Sequence, residues 1–129
     1  MPAETINIRQ EAESGMQYTV RRRLTKAGYV SSGYVHFPPG CEGLVDVRVS
    51  LEIDGSEVPI FPIPDLETST PQYIAIDAFT LPFPVDRDIA KDSLLIVEIR
   101  NGDADNDHNI TVLAYWYEKK PEGGALPFP

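Results

Sequence analysis

Asp103, Asp105 and Asp107 stand at alternate positions in the loop Asn101–His108, and their type and spacing come closest to a metal site in this chain. Calcium takes about six to eight hard oxygen ligands, and carboxylates two residues apart can converge on one ion. The helix-loop-helix calcium pattern would add a Gly at the sixth loop position and a Glu at the twelfth. Counted from Asp103, those places hold His108 and Ala114. The flanks read as strands, so that family pattern is not met. The other reading is a polar hairpin tip, since Asn, Asp and Gly accept turn geometries. Calcium held by Asp103, Asp105 and Asp107 stands as one expectation, a plain loop as the other.

Other chemistry is sparse. Cys41 is the one cysteine, which forbids an intramolecular disulfide and excludes thiolate-rich zinc patterns. It lies between Gly40 and Gly43 without a surrounding cysteine-nucleophile signature, and reads as a structural thiol in a turn. His36 and His108 are too few for a histidine-rich metal site. There is no Gly-x-Ser-x-Gly elbow, phosphate-binding Gly-Lys loop or dinucleotide fingerprint. An enzyme is therefore not expected, and neither is a catalytic residue or a resident cofactor. Tyr115-Trp116-Tyr117 raises a different possibility, because aromatics on a sandwich face can stack on sugar rings. In a strand, Trp116 points away from its two neighbours. The simpler assignment sends Trp116 to the core with Val112 and Ala114 and leaves Tyr115 and Tyr117 as candidate contact residues.

Those groups must be positioned by strands, for hydrophobic periodicity near two recurs along the chain and a period of 3.6 hardly appears. Val45, Val47, Val49, Leu51 and Ile53 alternate with Asp46, Arg48, Ser50, Glu52 and Asp54, the pattern of a strand with one buried and one wet face. Thr5–Arg9 and Met16–Leu24 alternate too. Tyr29–Phe37 is interrupted at Ser31-Ser32-Gly33, where a bend or bulge is expected. Asp54-Gly55 predicts a turn returning into a short strand, Val58–Phe61. Gln72–Asp77 and Phe79–Val85 read as extended, with Leu81-Pro82 and Phe83-Pro84 as candidates for a cis bond. Arg87–Ser93 is the one helix candidate. Leu94–Ile99, apolar on both faces, predicts a central strand, and Asn109–Glu118 is expected to pair with it as a hairpin. Some eight short strands separated by turns predict an all-β, single-domain antiparallel β-sandwich, with a jelly roll preferred.

The chain has 129 residues, enough for one domain, spanning 1–120, followed by a Pro- and Gly-rich arm, 121–129. Its formal charge of -9 opposes binding to a phosphate backbone, so no nucleic-acid partner is expected. Arg21-Arg22-Arg23 runs against that balance. On a strand its side chains split between two faces, giving a solvated strand or a contact with an acidic surface of a neighbouring subunit. No window approaches the roughly 20 apolar residues of a membrane span, and no secretory leader is read at the start, so no membrane partner is expected.

The run Gly33-Tyr-Val-His-Phe-Pro-Pro-Gly-Cys-Glu-Gly-Leu44, then Val45-Asp-Val-Arg-Val49, Ile60-Phe-Pro62, Asp77 with Leu81-Pro-Phe-Pro84, and Asn101 to His108-Asn-Ile-Thr-Val112 resembles the small jelly-roll virion proteins of tailed bacteriophages, the class that decorates a capsid or forms part of an appendage. The resemblance implies a structural protein whose sandwich edges and terminal arms bind neighbouring copies and a larger capsid or virion protein. It implies a closed homo-oligomer, with a trimer as the expected state, located in the virion or soluble in the cytoplasm before assembly. The arm is expected to dock through Leu126, Pro127 and Phe128 into a groove on this subunit or a neighbour. The competing expectation is a carbohydrate-binding or adhesion-type module, calcium-stiffened if the acidic loop takes an ion.

Overall fold

The computed structural model describes residues 4–62 and 73–118. The expected arm residues Leu126, Pro127 and Phe128 lie outside the described residues. Eight strands follow one another: β1 Glu4–Ala12, β2 Gln17–Leu24, β3 Gly28–Phe37, β4 Val45–Ile53, β5 Ser56–Phe61, β6 Phe79–Ile89, β7 Ser93–Asn101 and β8 His108–Glu118. They form two antiparallel sheets, one in the order β1-β8-β3-β6 and the other β2-β7-β4-β5. That interleaving, with consecutive strands sent to opposite sheets except for the β4-β5 hairpin, is the double Greek key of a jelly roll.

Between the sheets lies an apolar layer that includes Ile8, Val35, Phe37, Val47, Leu51, Leu95, Val97, Ile99, Ile110 and Val112. Its members sit at alternate strand positions, because successive side chains leave a strand on opposite faces. β4 follows the alternation seen in its sequence: Val45, Val47, Val49 and Leu51 are fully buried. β7 is an inner strand between β2 and β4, with Leu95, Val97 and Ile99 in the core and Ile96, on its other face, buried at 3% exposure.

Several expectations are corrected. Leu94–Ile99 and Asn109–Glu118 do not form a hairpin: β7 pairs with β2 and β4, whereas β8 pairs with β1 and β3 in the other sheet. The acidic segment between them is therefore a crossover between sheets. Arg87–Ser93 is not a helix, since β6 continues to Ile89. A double irregularity hid this continuation. Ser31 of β3 stands against Val85 and Asp86 of β6, a register shift between Val30 and Ser32, and Asp86 has a positive φ of 49°. The bulge expected at Ser31-Ser32 is present, but its effect on β6 cannot be seen locally. Of the expected strand around Ile74 and Ile76, the described part contributes one bridge, Ile74 to Val47. The cis peptide is Phe61-Pro62, not either proline bond of β6.

Proline placement follows the sheet order. Pro59 lies in β5 and Pro82 and Pro84 in β6, and these are the outer strands on one flank of the sandwich. A missing ladder donor is tolerated at a sheet edge and not inside. Phe61 stacks on Phe83 across that flank, with ring centroids 5.1 Å apart and planes at 14°.

Candidate functional site

The acidic loop is built from the inside outward. Asn101, at the end of β7, is buried at 3% exposure. Its amide donates to the carbonyls of Ala12 at 2.8 Å and Asn106 at 3.0 Å, while its oxygen accepts from the Asp103 N–H at 2.9 Å. Asp103 turns inward as well. Its Oδ1 accepts from the N–H groups of Asp105 at 2.9 Å and Asn106 at 3.2 Å, the local turn for which Asp is favoured. Its Oδ2 receives His108 Nε2 at 2.9 Å and the Asn106 amide at 3.3 Å. A carboxylate can only accept, so His108 carries a proton on Nε2.

Asp107 points elsewhere and accepts from the Ser14 N–H at 2.8 Å. Ser14 Oγ completes the link by donating to the Asp103 carbonyl at 2.9 Å. Asp105 is exposed. The three carboxylates thus do three different things, and among the described residues no group of three His, Cys, Asp or Glu side chains is placed to hold a metal ion. The alternate spacing does not gather a ligand set because Asp103 and Asp107 accept from different backbone donors and Asp105 is exposed. The loop instead ties together the connections at one end of the sandwich. Asn101 N–H donates to Met16 at 2.9 Å, Gly102 N–H to Leu44 at 2.8 Å, and Asp77 accepts from Gly40 and Glu42 at 2.9 and 3.0 Å.

The bond from His108, reinforced by the Asp105 N–H, holds the Asp103 carboxyl down at about 2. A depressed carboxylate adds stability that is fully present above its unfolded value near 4 and is lost as pH falls through 2. Urea midpoints should therefore drop between pH 4 and 2, and Asp103→Asn should remove part of that drop while lowering the midpoint at pH 7. An Asn variant with the full wild-type acid slope would assign the slope to other carboxylates. Cys41 is fully buried, and burial, with the charges of Asp77 and Asp103 behind it, pushes its thiol up to about 11. That is the wrong direction for a nucleophile.

The two outer sheet faces differ in kind. On β2-β7-β4-β5 the charges of the inner strands are paired: Arg48 pairs with Glu57 and with Glu98 at 3.4 Å, and Arg100 with Asp46 at 2.8 Å. Tyr73 lies over this face, with the Arg100 guanidinium 3.6 Å from its ring centroid. On β1-β8-β3-β6 the register sets Tyr117 beside Tyr29, Tyr115 beside Ser32, Leu113 beside Tyr34 and Thr111 beside His36. Tyr115 and Tyr117 are 37% and 38% exposed, and Trp116 between them is 7% exposed, so the assignment of Trp116 to the core holds. Tyr29 and Tyr117 meet at 6.3 Å with planes tilted by 41°. The Tyr29 hydroxyl donates to Asp86, which raises its pKa from the usual phenol value. Arg9 and His36 close the polar end of the face, opening on a recess of about 320 Å³ beside Asp107 and His108.

Sequence reasoning found Tyr115 and Tyr117 but not Tyr29 and Tyr34, because strands far apart in sequence supply them. The signal was available only as parity: Tyr29 and Tyr34 belong to one face once the Ser31 bulge is counted. Asn101 and Ser14 were missed for the same reason, since their partners are distant in the chain.

No protein-family model matches this chain, and no curated protein matches it. Among solved structures it is similar to the Yersinia pseudotuberculosis-derived mitogen, with 11% sequence identity and a TM-score of 0.48 over 100% of this chain and 98% of that one. It is also similar to a chain of infectious bursal disease virus, Gx strain, with 10% identity and a TM-score of 0.34. That match covers 98% of this chain and 34% of the viral one, so this chain spans about a third of its length.

Proposed function

We propose that this chain is a non-enzymatic structural subunit that assembles with copies of itself and with a larger shell protein of a virus particle. The observation that carries the reading is the outer face of β1-β8-β3-β6, where Tyr29, Tyr34, Leu113, Tyr115 and Tyr117 share one side of the sheet. Tyrosine brings large contact area with few rotamers to freeze, and is enriched where protein surfaces bind. The opposite face pairs the charges of its inner strands with one another, Arg48 with Glu98 and Arg100 with Asp46. The particle context rests on the jelly-roll strand order together with the sequence pattern that resembles small phage virion proteins. A tailed-phage decoration role, with a trimer as the working stoichiometry, is the specific form of the proposal.

Light scattering on the purified chain tests it. A closed oligomer of the 14.3 kDa subunit is expected. The double variant Tyr115→Ala/Tyr117→Ala should raise the concentration for half-association by about tenfold or more while leaving the circular dichroism unchanged. A chain monomeric throughout a concentration series overturns the reading.

A second reading is favoured by the same residues. Exposed tyrosines bordered by Asn7, Thr111 and His36 also suit a saccharide, whose ring stacks while its hydroxyls bond. It predicts glycan binding by a monomer, lost in the same double variant.

A further inference from the structure

We infer that the flank formed by β1 and β2 is a strand-pairing surface for a second copy of this chain, with β1 of one copy laid antiparallel on β2 of its neighbour. This deepens the proposed self-assembly and rests on it. The two flanks of the sandwich are built differently. On the flank of β5 and β6 the edges carry Pro59, Pro82 and Pro84, a register shift in each ladder, and the Phe61–Phe83 stack between the sheets. Those are the devices by which edge strands avoid further pairing.

The flank of β1 and β2 has none of them. β1 keeps its register with β8 from Glu4 to Ala12, and β2 with β7 from Gln17 to Leu24, without a proline or a shift. Each has one ladder partner. Between them is an open cleft of about 550 Å³ whose lining includes Ile6, Leu24, Arg22, Arg23 and Trp116. The Trp116 indole N–H at its base finds no acceptor among the described residues.

The free backbone groups can be placed. Arg22 Nη2 donates to the Asn7 carbonyl at 3.5 Å, so that carbonyl points out of the sheet edge rather than toward β8. In an unbroken antiparallel ladder the outward groups recur at every second residue. Thr5, Asn7, Arg9 and Glu11 therefore present N–H and C=O to a newcomer.

Charge selects the newcomer. β2 carries Arg21, Arg22 and Arg23, all exposed and in no ion pair among the described residues. Pairing β2 with its own copy would set arginine against arginine, which is unfavourable directly across strands. β1 carries Glu4 and Glu11 with Arg9 between them. Laying β1 antiparallel on the neighbour's β2 with like faces matched sets Glu4 opposite Arg22 and Ile6 and Ile8 opposite Val20 and Tyr18, with Glu11 beyond the end of β2. A rotation axis parallel to the strands preserves strand direction and repeats the same contact, so every bare edge finds its complement.

The test uses the full chain in sedimentation velocity, with circular dichroism and thermal melting as fold controls. Asn7→Pro removes an outward donor that β8 does not use, and should weaken self-association about tenfold or more without loss of fold. R22E should weaken it at least as much through like-charge contact with Glu4, as should E4R. The chain carrying both reversals should associate again, as should an equimolar mixture of the two single variants. Wild-type association that neither the proline nor the charge reversals disturb overturns the inference and leaves the assembly reading intact. Loss in both single variants without recovery in the double variant overturns the β1-on-β2 pairing. A wild-type chain that stays monomeric overturns both.

Discussion

Phe37→Ala is expected to cost about 3–5 kcal/mol and to lower the melting temperature by some 10–20 °C, the largest effect of any single truncation considered. Among the described residues Phe37 is the largest side chain buried below 2% exposure, and it sits where β3 ends and the crossover toward β4 begins. Removing its ring takes away buried apolar area and leaves a void that a two-layer core cannot close. Strands on both sides are held in register by their neighbours, so collapse would have to shift a ladder. The total stability of a domain this size is about 5–15 kcal/mol, so the variant consumes about a fifth of it or more. Phe37→Leu, which keeps most of the volume, should lose less than about 1.5 kcal/mol. Urea denaturation of the pair measures the difference. Equal losses would mean that the site relaxes around the missing ring and that the core is less tightly fixed than its burial indicates.

Local alternation made the core legible, and the same locality set its limit. Val45 to Leu51 announced one buried face, and that face is the inner side of β4. The fold class followed from repeating such stretches with turns between them. The pairing of β7 with β8 did not follow, because two neighbouring strands joined by a polar loop look alike whether the loop makes a hairpin or crosses to the other sheet. What decides between them is where Ile110, Val112 and Ala114 find an apolar layer, and β3 and β1, far away in sequence, supply their sheet neighbours. The helix expected at Arg87–Ser93 failed for a related reason. Asp86 breaks the alternation because a bulge in β3 requires it to, and the cause lies more than fifty residues upstream.

The candidate site divides along the same line. The acidic loop was visible as composition, but its role depended on donors from other connections: Ser14 claims Asp107, and His108 with two backbone amides claims Asp103. A tyrosine pair in β8 was visible too, while the surface it belongs to emerged only when β3 was set beside it. Two contact surfaces of different chemistry, an aromatic sheet face and a charged bare flank, suit a subunit that must touch more than one neighbour. One self-complementary patch alone would stop at a dimer.

Asn101→Ala is the second large effect, expected at about 2–4 kcal/mol although it removes almost no apolar surface. The side chain satisfies the carbonyls of Ala12 and Asn106 and the N–H of Asp103, joining the end of β1, the end of β7 and the crossover that leads to β8. Alanine leaves these groups without partners in a place where the parent residue is 3% exposed, and a buried unpaired polar group costs about 1–3 kcal/mol. Water entering the vacated space would reduce the loss, which is why the total falls short of the sum. Asn101→Asp sharpens the test because it preserves shape. Its oxygen can still accept from Asp103, but a second oxygen replaces the donor and faces two carbonyls, with the Asp103 carboxylate close by. At pH 7 this variant should be no more stable than the alanine one. It should then regain stability as pH falls toward 4, since the introduced carboxyl has a raised folded-state pKa and donates once protonated. Urea midpoints at both pH values read the crossing directly. If the Asp variant matches wild type at pH 7, the loop is not held by the Asn101 amide, and the bonds of Asp103 and Ser14 must carry the end of the sandwich without it.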